Sequence, residues 1–329
     1  MAFDLTTPPP WSQEFVDRAG RAGEDIPTAV RIAVECGARL PSPGAGRTLE
    51  RWSVLAAIAR RNLTVARVLE AHSDALAILA EAGETPRPDS SWGVFAAEAP
   101  GVLLSAIGTE GAVTLTGTKP WCSLGADVDC ALVTAHVGDD RQLFQVELTR
   151  PEVRVHAADR WIARGLRTVI SVPIEFDRAP ATAVGGPGWY LRRPGFAWGG
   201  IGVAACWYGG AAGVADAVLR AAAKRPSELA AMHAGTVDVA VHAARCALRD
   251  AAADVDAGVD DPERLALRAR SVVALSVEQV LRTAGHALGP APLAFDPDFA
   301  ARVADLELYV RQHHGERDLA ALGDRLARR

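Results

Sequence analysis

The sequence predicts an α+β protein, with an α-helical unit over residues 1–90, a β unit over 91–185 and a helical bundle over 186–329. Three observations carry this order. Apolar residues recur at helical spacing from Arg47 to Gly83, alternate from Val113 to about Phe176, and return to helical spacing through the Ala- and Leu-rich remainder. A chain of 329 residues also exceeds one ordinary core, so division into packed units is expected from length.

In the first unit, Ser12 to Leu40 reads as helix interrupted by Gly and Pro. LERWSVLAAIARRNLTVARVLEAHSDALAILAEAG then places Leu49, Leu55, Ile58, Val65, Val68, Leu69, Leu76 and Leu79 on helical faces. GETPRPDSS (83–91) is a connector. Beyond it VTLTG (Val113–Gly117), CALVTAHV (Cys130–Val137) and QLFQVEL (Gln142–Leu148) read as strands, with GDDR (138–141) and Thr109-Glu110-Gly111 as hairpin turns. VRVHAADRW and TVISVPIEF extend the β pattern, making this middle unit all-β. Helices are expected at Ala211–Lys224, Ser227–Asp256, Pro262–Leu288 and Asp298–Arg328, punctuated by Pro226, Gly258 and Gly289–Pro297.

Composition narrows the partners. With 35 basic and 40 acidic side chains, a net charge of −5 and no basic block, the chain is poorly suited to nucleic acid or an anionic membrane. A small-molecule or protein partner is expected. The five cysteines are scattered without a C-x-x-C pair, which indicates reduced thiols in a cytoplasmic protein. No signal peptide is visible in MAFDLTTPPPWSQEF. The uncharged run PGFAWGGIGVAACWYGGAAGVA is long enough to span a bilayer, but its seven glycines fit a buried, closely packed helix better. Within it, GIGVAA matches a G-x-G-x-x-A dinucleotide fingerprint. The preceding WYLRRPGFAW has an internal proline and two arginines where an apolar strand is required, so that fingerprint is rejected. His233 and His242, nine apart, do not make an i, i+4 metal pair, and no metal site is expected. Arg192 and Arg193, just before the bundle, read as a solvated linker, with a phosphate contact as the alternative.

TLTGTKPWCSLGADVDCALVTA (Thr114–Ala135) resembles the acyl-CoA dehydrogenase family on Gly117, Lys119, Trp121, Cys122, Ser123 and Gly125. WIARGLRTVISVPIEFDRAPA (Trp161–Ala181) is similar to the family's next barrel element. HAGTVDVAVHAARCALRDAA (His233–Ala253), QVLRTAGHALG (Gln279–Gly289) and ADLELYVRQHHGERDLAALG (Ala304–Gly323) resemble its bundle helices, so the likeness runs from about Arg47 to Gly323. The resemblance implies an acyl-CoA dehydrogenase-like fold: a shortened N-terminal helical domain, a central β-barrel and a C-terminal four-helix bundle. It further implies FAD held between barrel and bundle, partly by a neighbouring subunit of a homodimer or homotetramer. Trp121, Cys122 and Ser123 would meet the flavin, with Lys119 in the loop beside that wall. Ala97 would join them from AAEAPG (96–101), and Arg282 and Gly285 from the helix end.

The departures concern chemistry. The family's catalytic glutamate, counted from Asp305, falls on His313, and its alternative position on the first bundle helix falls on Val203. His313 is the candidate acid/base, because imidazole titrates near working pH. Glu316, about one helical turn beyond, is the reserve. The phosphate-binding R-x-x-F-G element is missing, with Lys224-Arg225-Pro226 nearby, and Arg282 replaces a small glycine. The chain is also shorter than full-length relatives, which implies a more open site suited to a bulky or carrier-bound acyl substrate. The function implied is a flavin-dependent oxidoreductase performing α,β-oxidation of an acyl thioester or related small molecule with a non-standard acid/base. The alternatives are a flavin-dependent monooxygenase of the same superfamily and a catalytically degenerate homologue acting as a binding or assembly partner.

Overall fold

The computed structural model describes residues 5–109 and 112–327. Four helices open the chain: α1 (Gln13–Ala22), α2 (Ile26–Gly37), α3 (Thr48–Arg61) and α4 (Leu63–Ala82). The helical pattern between Leu49 and Leu79 is broken at Asn62, whose extended backbone and side-chain oxygen, accepting from the Val65 N–H, start α4 as an N-cap. A pattern of apolar spacing does not register such a break, because the face continues on both sides.

Seven strands follow: β1 (Trp92–Phe95), β2 (Leu104–Thr109), β3 (Ala112–Ser123), β4 (Cys130–Val137), β5 (Asp140–Glu147), β6 (Val153–Val155) and β7 (Ser171–Val184). The pairings β4–β2, β2–β3, β3–β7, β7–β5 and β5–β4 close a five-stranded barrel, with β1 added to β4 and β6 to β7. The predicted β4 matches at both ends. GDDR is shorter as a turn than expected, since Val137 already pairs with Asp140 and leaves Gly138 and Asp139 as the loop. β1 and β2 were not anticipated, and VRVHAADRW contributes just three strand residues before a 3-10 turn at 158–160. The expected turn at Thr109-Glu110-Gly111 includes two residues outside the described ones, though Thr109 and Ala112 pair across it.

The last unit contains α5 (Trp189–Arg192), α6 (Pro194–Lys224), α7 (Glu228–Ala257), α8 (Pro262–Leu288), α9 (Ala291–Phe295), α10 (Pro297–Tyr309) and α11 (Glu316–Ala327). The glycine-rich run is the N-terminal part of α6, not a strand and phosphate loop. By length and composition α6 could cross a membrane, and 83% of its most apolar 18-residue window is buried inside the protein. A Cβ at Gly209 would collide with the Ala56 carbonyl, so glycine there sets how closely α3 approaches α6. Asp256, at the end of α7, accepts from the Thr48 N–H (3.0 Å) and hydroxyl (2.6 Å) and supplies the missing N-terminal partner of α3. The expected single helix from Asp298 onwards is two helices, because α10 tightens into a 3-10 turn at 310–312 and Gly315 adopts a left-handed conformation (φ 58°).

Candidate active site

Two segments of the barrel rim lie side by side. β3 ends and β7 begins with Ser123 paired to Ser171, their hydroxyls 2.8 Å apart, and the Leu124 N–H donates to the Ile170 carbonyl (2.7 Å). Left-handed backbone at side-chain-bearing residues concentrates here: Trp121 (φ 58°), Leu124 (φ 58°) and Leu166 (φ 47°). For a bulky residue such as Trp this costs on the order of 1–3 kcal/mol, which the surrounding pairing must hold in place. The strain turns the Trp121 indole outward, 59% exposed, while Cys122 turns inward. The Cys122 thiol lies 3.3 Å from the Lys119 carbonyl and burial pushes it up to about 12, so its expected role against a ligand is corrected to core packing. Lys119 is likewise inside the barrel and not in an open loop. Its ammonium donates to the Thr134 carbonyl (2.9 Å) and hydroxyl (2.8 Å), and burial pushes it down to about 8.

Helix α4 crosses behind Ser123. Arg67 reaches within 3.4 Å of the Ser123 hydroxyl, pairs with Glu70 (3.0 Å) and lies over the Tyr309 ring, whose hydroxyl also donates to Glu70 (3.2 Å). A continuous polar path thus joins barrel, α4 and α10. The cavity that Ser123, Arg67 and His72 line holds about 10 Å³, enough for one water. The more open site expected from the short N-terminal unit is therefore absent at this seam, because α4 packs directly against the rim.

His313 sits in the bundle wall with its side chain 7% exposed. It is not helical: its backbone is extended, Gly315 turns the chain, and α11 begins at Glu316. Nδ1 accepts from the Gly315 N–H (3.2 Å), so the neutral ring carries its proton on Nε2, 3.1 Å from the Ser271 hydroxyl and 3.6 Å from Asp318. Trp207 packs edge-to-face with the imidazole, and the Arg270 guanidinium lies over the Trp207 ring. Burial pushes the imidazole pKa down. Both nitrogens being engaged, His313 is a latch between α8 and the chain end, which corrects its candidacy as free acid/base. Glu316 is exposed and the intervening turn removes the helical relation to His313 that made it the reserve.

The remaining predicted residues are spread out. Ala97 is exposed in the loop after β1, and the neighbouring Glu98 pairs with Arg141 (3.1 Å) and His136 (3.2 Å). Arg282 is exposed and bonds Gln279 on its own helix, and Gly285 borders open space. Both lie beyond Arg270 on α8, Arg282 by roughly 18 Å at 1.5 Å per residue. Near them, Lys224, Arg225, Ser227, His233 and His286 line a groove of about 450 Å³ at the far end of the bundle. Trp121 and Ser123 are thus brought together, and Arg282 with Gly285 forms a separate locus. Gly165 lets the barrel approach α10: a Cβ there would collide with the Ala304 carbonyl, while the Leu166 N–H donates to Asp305 (2.5 Å). Sequence reasoning missed Arg67, Glu70 and Asp74, whose common signal was charge at i, i+3 and i+7 in the middle of a mostly apolar helix.

The donor set fits the flavin that the resemblance implies. Trp121 offers an exposed aromatic wall, Ser123 and Ser171 a hydroxyl pair, and Thr168 a buried hydroxyl with no partner among the described residues. The basic groove suits a phosphate-bearing tail.

These layers form the fold that solved butyryl-CoA dehydrogenase also has. No family model and no curated protein sequence matches the chain. Solved structures do: butyryl-CoA dehydrogenase from Megasphaera elsdenii is 16% identical, with 99% of this chain and 100% of that one covered at a TM-score of 0.80. Nitrososynthase from Micromonospora carbonacea var. africana is 18% identical, with 99% of each chain covered at a TM-score of 0.79. KijD3, solved with FMN and an amino-sugar nucleotide, is 16% identical over 94% of this chain and 92% of that one, at a TM-score of 0.78. At such identity the likeness is one of fold.

Proposed function

We propose that the chain is a flavin-dependent oxidoreductase that oxidises an acyl thioester or related carbonyl-activated small molecule, with FAD as its cofactor. The observation that carries this is the strained rim pair, where Trp121 is held outward beside the Ser123–Ser171 hydroxyls. Bound flavin supplies the two-electron acceptor. Trp121 gives the ring an apolar face, Ser123 a hydroxyl fixed by Ser171, and Arg67 a cation behind that hydroxyl. Helix α4 closes the seam against water. The groove at Lys224, Arg225 and His286 would take the phosphate tail, and its lining by bundle residues without any from the barrel favours a homodimer or homotetramer in which one copy completes another's site. A reduced cytoplasmic setting accords with the five unpaired cysteines.

A visible spectrum of purified protein, before and after adding FAD or FMN, tests this. Flavin absorbance that stays with the protein is expected. Its absence after both additions would overturn the proposal in favour of the degenerate homologue, the reading to which the 10 Å³ cavity at Ser123 lends weight. Monooxygenation is the second reading, favoured by the lack of a carboxylate at Val203 or His313 and by the nitrososynthase likeness. Oxygen consumption dependent on supplied reduced flavin would select it, whereas anaerobic bleaching by an acyl-CoA selects the first.

A further inference from the structure

Helix α4 shows one charged face to the interior, with Arg67, Glu70 and Asp74 at i, i+3 and i+7. The first two satisfy each other, and Asp74 does not share in this. Among the described residues no group hydrogen-bonds to its carboxylate and no cation lies within ion-pairing distance. The arginines around it are engaged elsewhere: Arg67 with Glu70, Arg193 with Glu81, and Arg51 with the Ser73 hydroxyl and Pro41 carbonyl. Glu70, Glu81 and Tyr190 complete the titratable groups that face it. Asp74 is half-buried, and burial raises its pKa.

Across the seam stands α6. A Cβ at Gly199 would come within 2.6 Å of Asp74 Oδ1, so glycine at 199 leaves this carboxylate its room. Gly199, Val203 and Trp207 follow at i, i+4 and i+8, along one side of α6 over roughly 12 Å. Val203 and His313, which packs on Trp207, stand at the two positions where the resemblance places a carboxylate and this chain carries none. Asp74 stands opposite the same side of the helix.

We propose that Asp74 is a catalytic residue, the proton acceptor toward a substrate lying against α6 at Gly199 and Val203, which like Asp74 are partly exposed, supplied by α4 because positions 203 and 313 carry no carboxylate. The assignment rests on the acyl-thioester reading above. In the step, the Cα–H bond of the thioester breaks, the proton forms an O–H bond on Asp74, and the electron pair passes to the thioester carbonyl as an enolate. Reversal returns a proton to Cα, or a deuteron in D₂O. No oxidant is consumed, so exchange can be scored apart from oxidation.

The experiment follows deuterium entry at Cα of butyryl-CoA in D₂O by mass spectrometry, with thermal unfolding and flavin absorbance recorded on each variant. Wild type is expected to exchange. Asp74→Asn should be slower by about 100-fold or more, the usual range for a positioned base, with unfolding and flavin content unchanged. Asp74→Glu should restore part of the rate, and Gly199→Ala should slow it by crowding the carboxylate. Exchange at the wild-type rate in Asp74→Asn would overturn the assignment, as would a flavin-bound wild type that exchanges nothing. Failure to bind flavin would instead overturn the oxidoreductase reading, and a rate lost in Asp74→Asn alone would still uphold Asp74 as the base.

Discussion

The rim at 120–124 and the turn at 310–316 are two of the places where the sequence suggests chemistry, and they are built in opposite ways. At the rim, backbone strain holds a large aromatic side chain out of the protein, and hydroxyls are left at the surface of the pairing. At the turn, the imidazole has every polar atom answered by Gly315, Ser271 or Asp318, and Trp207 covers its edge. The rim hydroxyls are also bonded, to each other and to the Val169 carbonyl, so what separates the two places is the aromatic face: uncovered at Trp121 and packed at Trp207. The same residue type in a motif position says nothing about which of the two it is.

Four substitutions would break or sharpen that contrast. The largest effect is expected at the latch: Trp207 is fully buried against Tyr309 and His313, so Trp207→Ala should cost about 3–5 kcal/mol in urea unfolding. A loss below about 1 kcal/mol would mean the wall is not packed as described. Next comes Lys119, beneath the rim. Its folded pKa, about 8, lies below its unfolded value of 10.5, so between those values the unfolded chain binds more protons. Stability should therefore rise as pH goes from 8 to 10.5, by up to about 3 kcal/mol from this group, and Lys119→Met should remove that slope. If both proteins show the same slope, Lys119 is not the source.

His313→Ala should cost about 1–2 kcal/mol through the orphaned Ser271 and Gly315 groups. Because burial lowers the folded pKa of His313, the unfolded chain takes the proton first, so this contribution is present above about pH 6.5 and is lost on acidification. A wild-type stability that increases on acidification through that range, absent from the variant, would contradict this. The smallest stability change belongs to the rim: Ser123→Ala should alter unfolding by less than about 1 kcal/mol yet weaken flavin binding about fivefold, measured by titration of absorbance. Equal flavin affinity in the variant would remove Ser123 from the site.

Much of the fold could be read from the chain. β4 and α8 were bounded to the residue, since their patterns end on clear turn and cap signals: Gly138 after the strand, Pro262 and Gly289 around the helix. β1 escaped because four residues are too few for alternation to show, and the split at Gly315 escaped because the apolar spacing of α10 and α11 is compatible with one helix. In the candidate site, Trp121 and Ser123 were legible from a local motif. Asp74 was not, since its meaning depends on what it lacks: a partner.

By itself the sequence determined the order of helices, barrel and bundle, the helical character of the glycine-rich run, and the absence of a carboxylate at positions 203 and 313. Those properties reside in spacing and residue identity along the chain. Tertiary structure alone decided that Cys122 faces inward, that His313 is saturated, and that Asp74 meets Gly199 across 125 residues of sequence. The physical reason is that a side chain's burial and hydrogen bonding are set by groups remote in sequence, and those are what separate a reactive residue from a structural one.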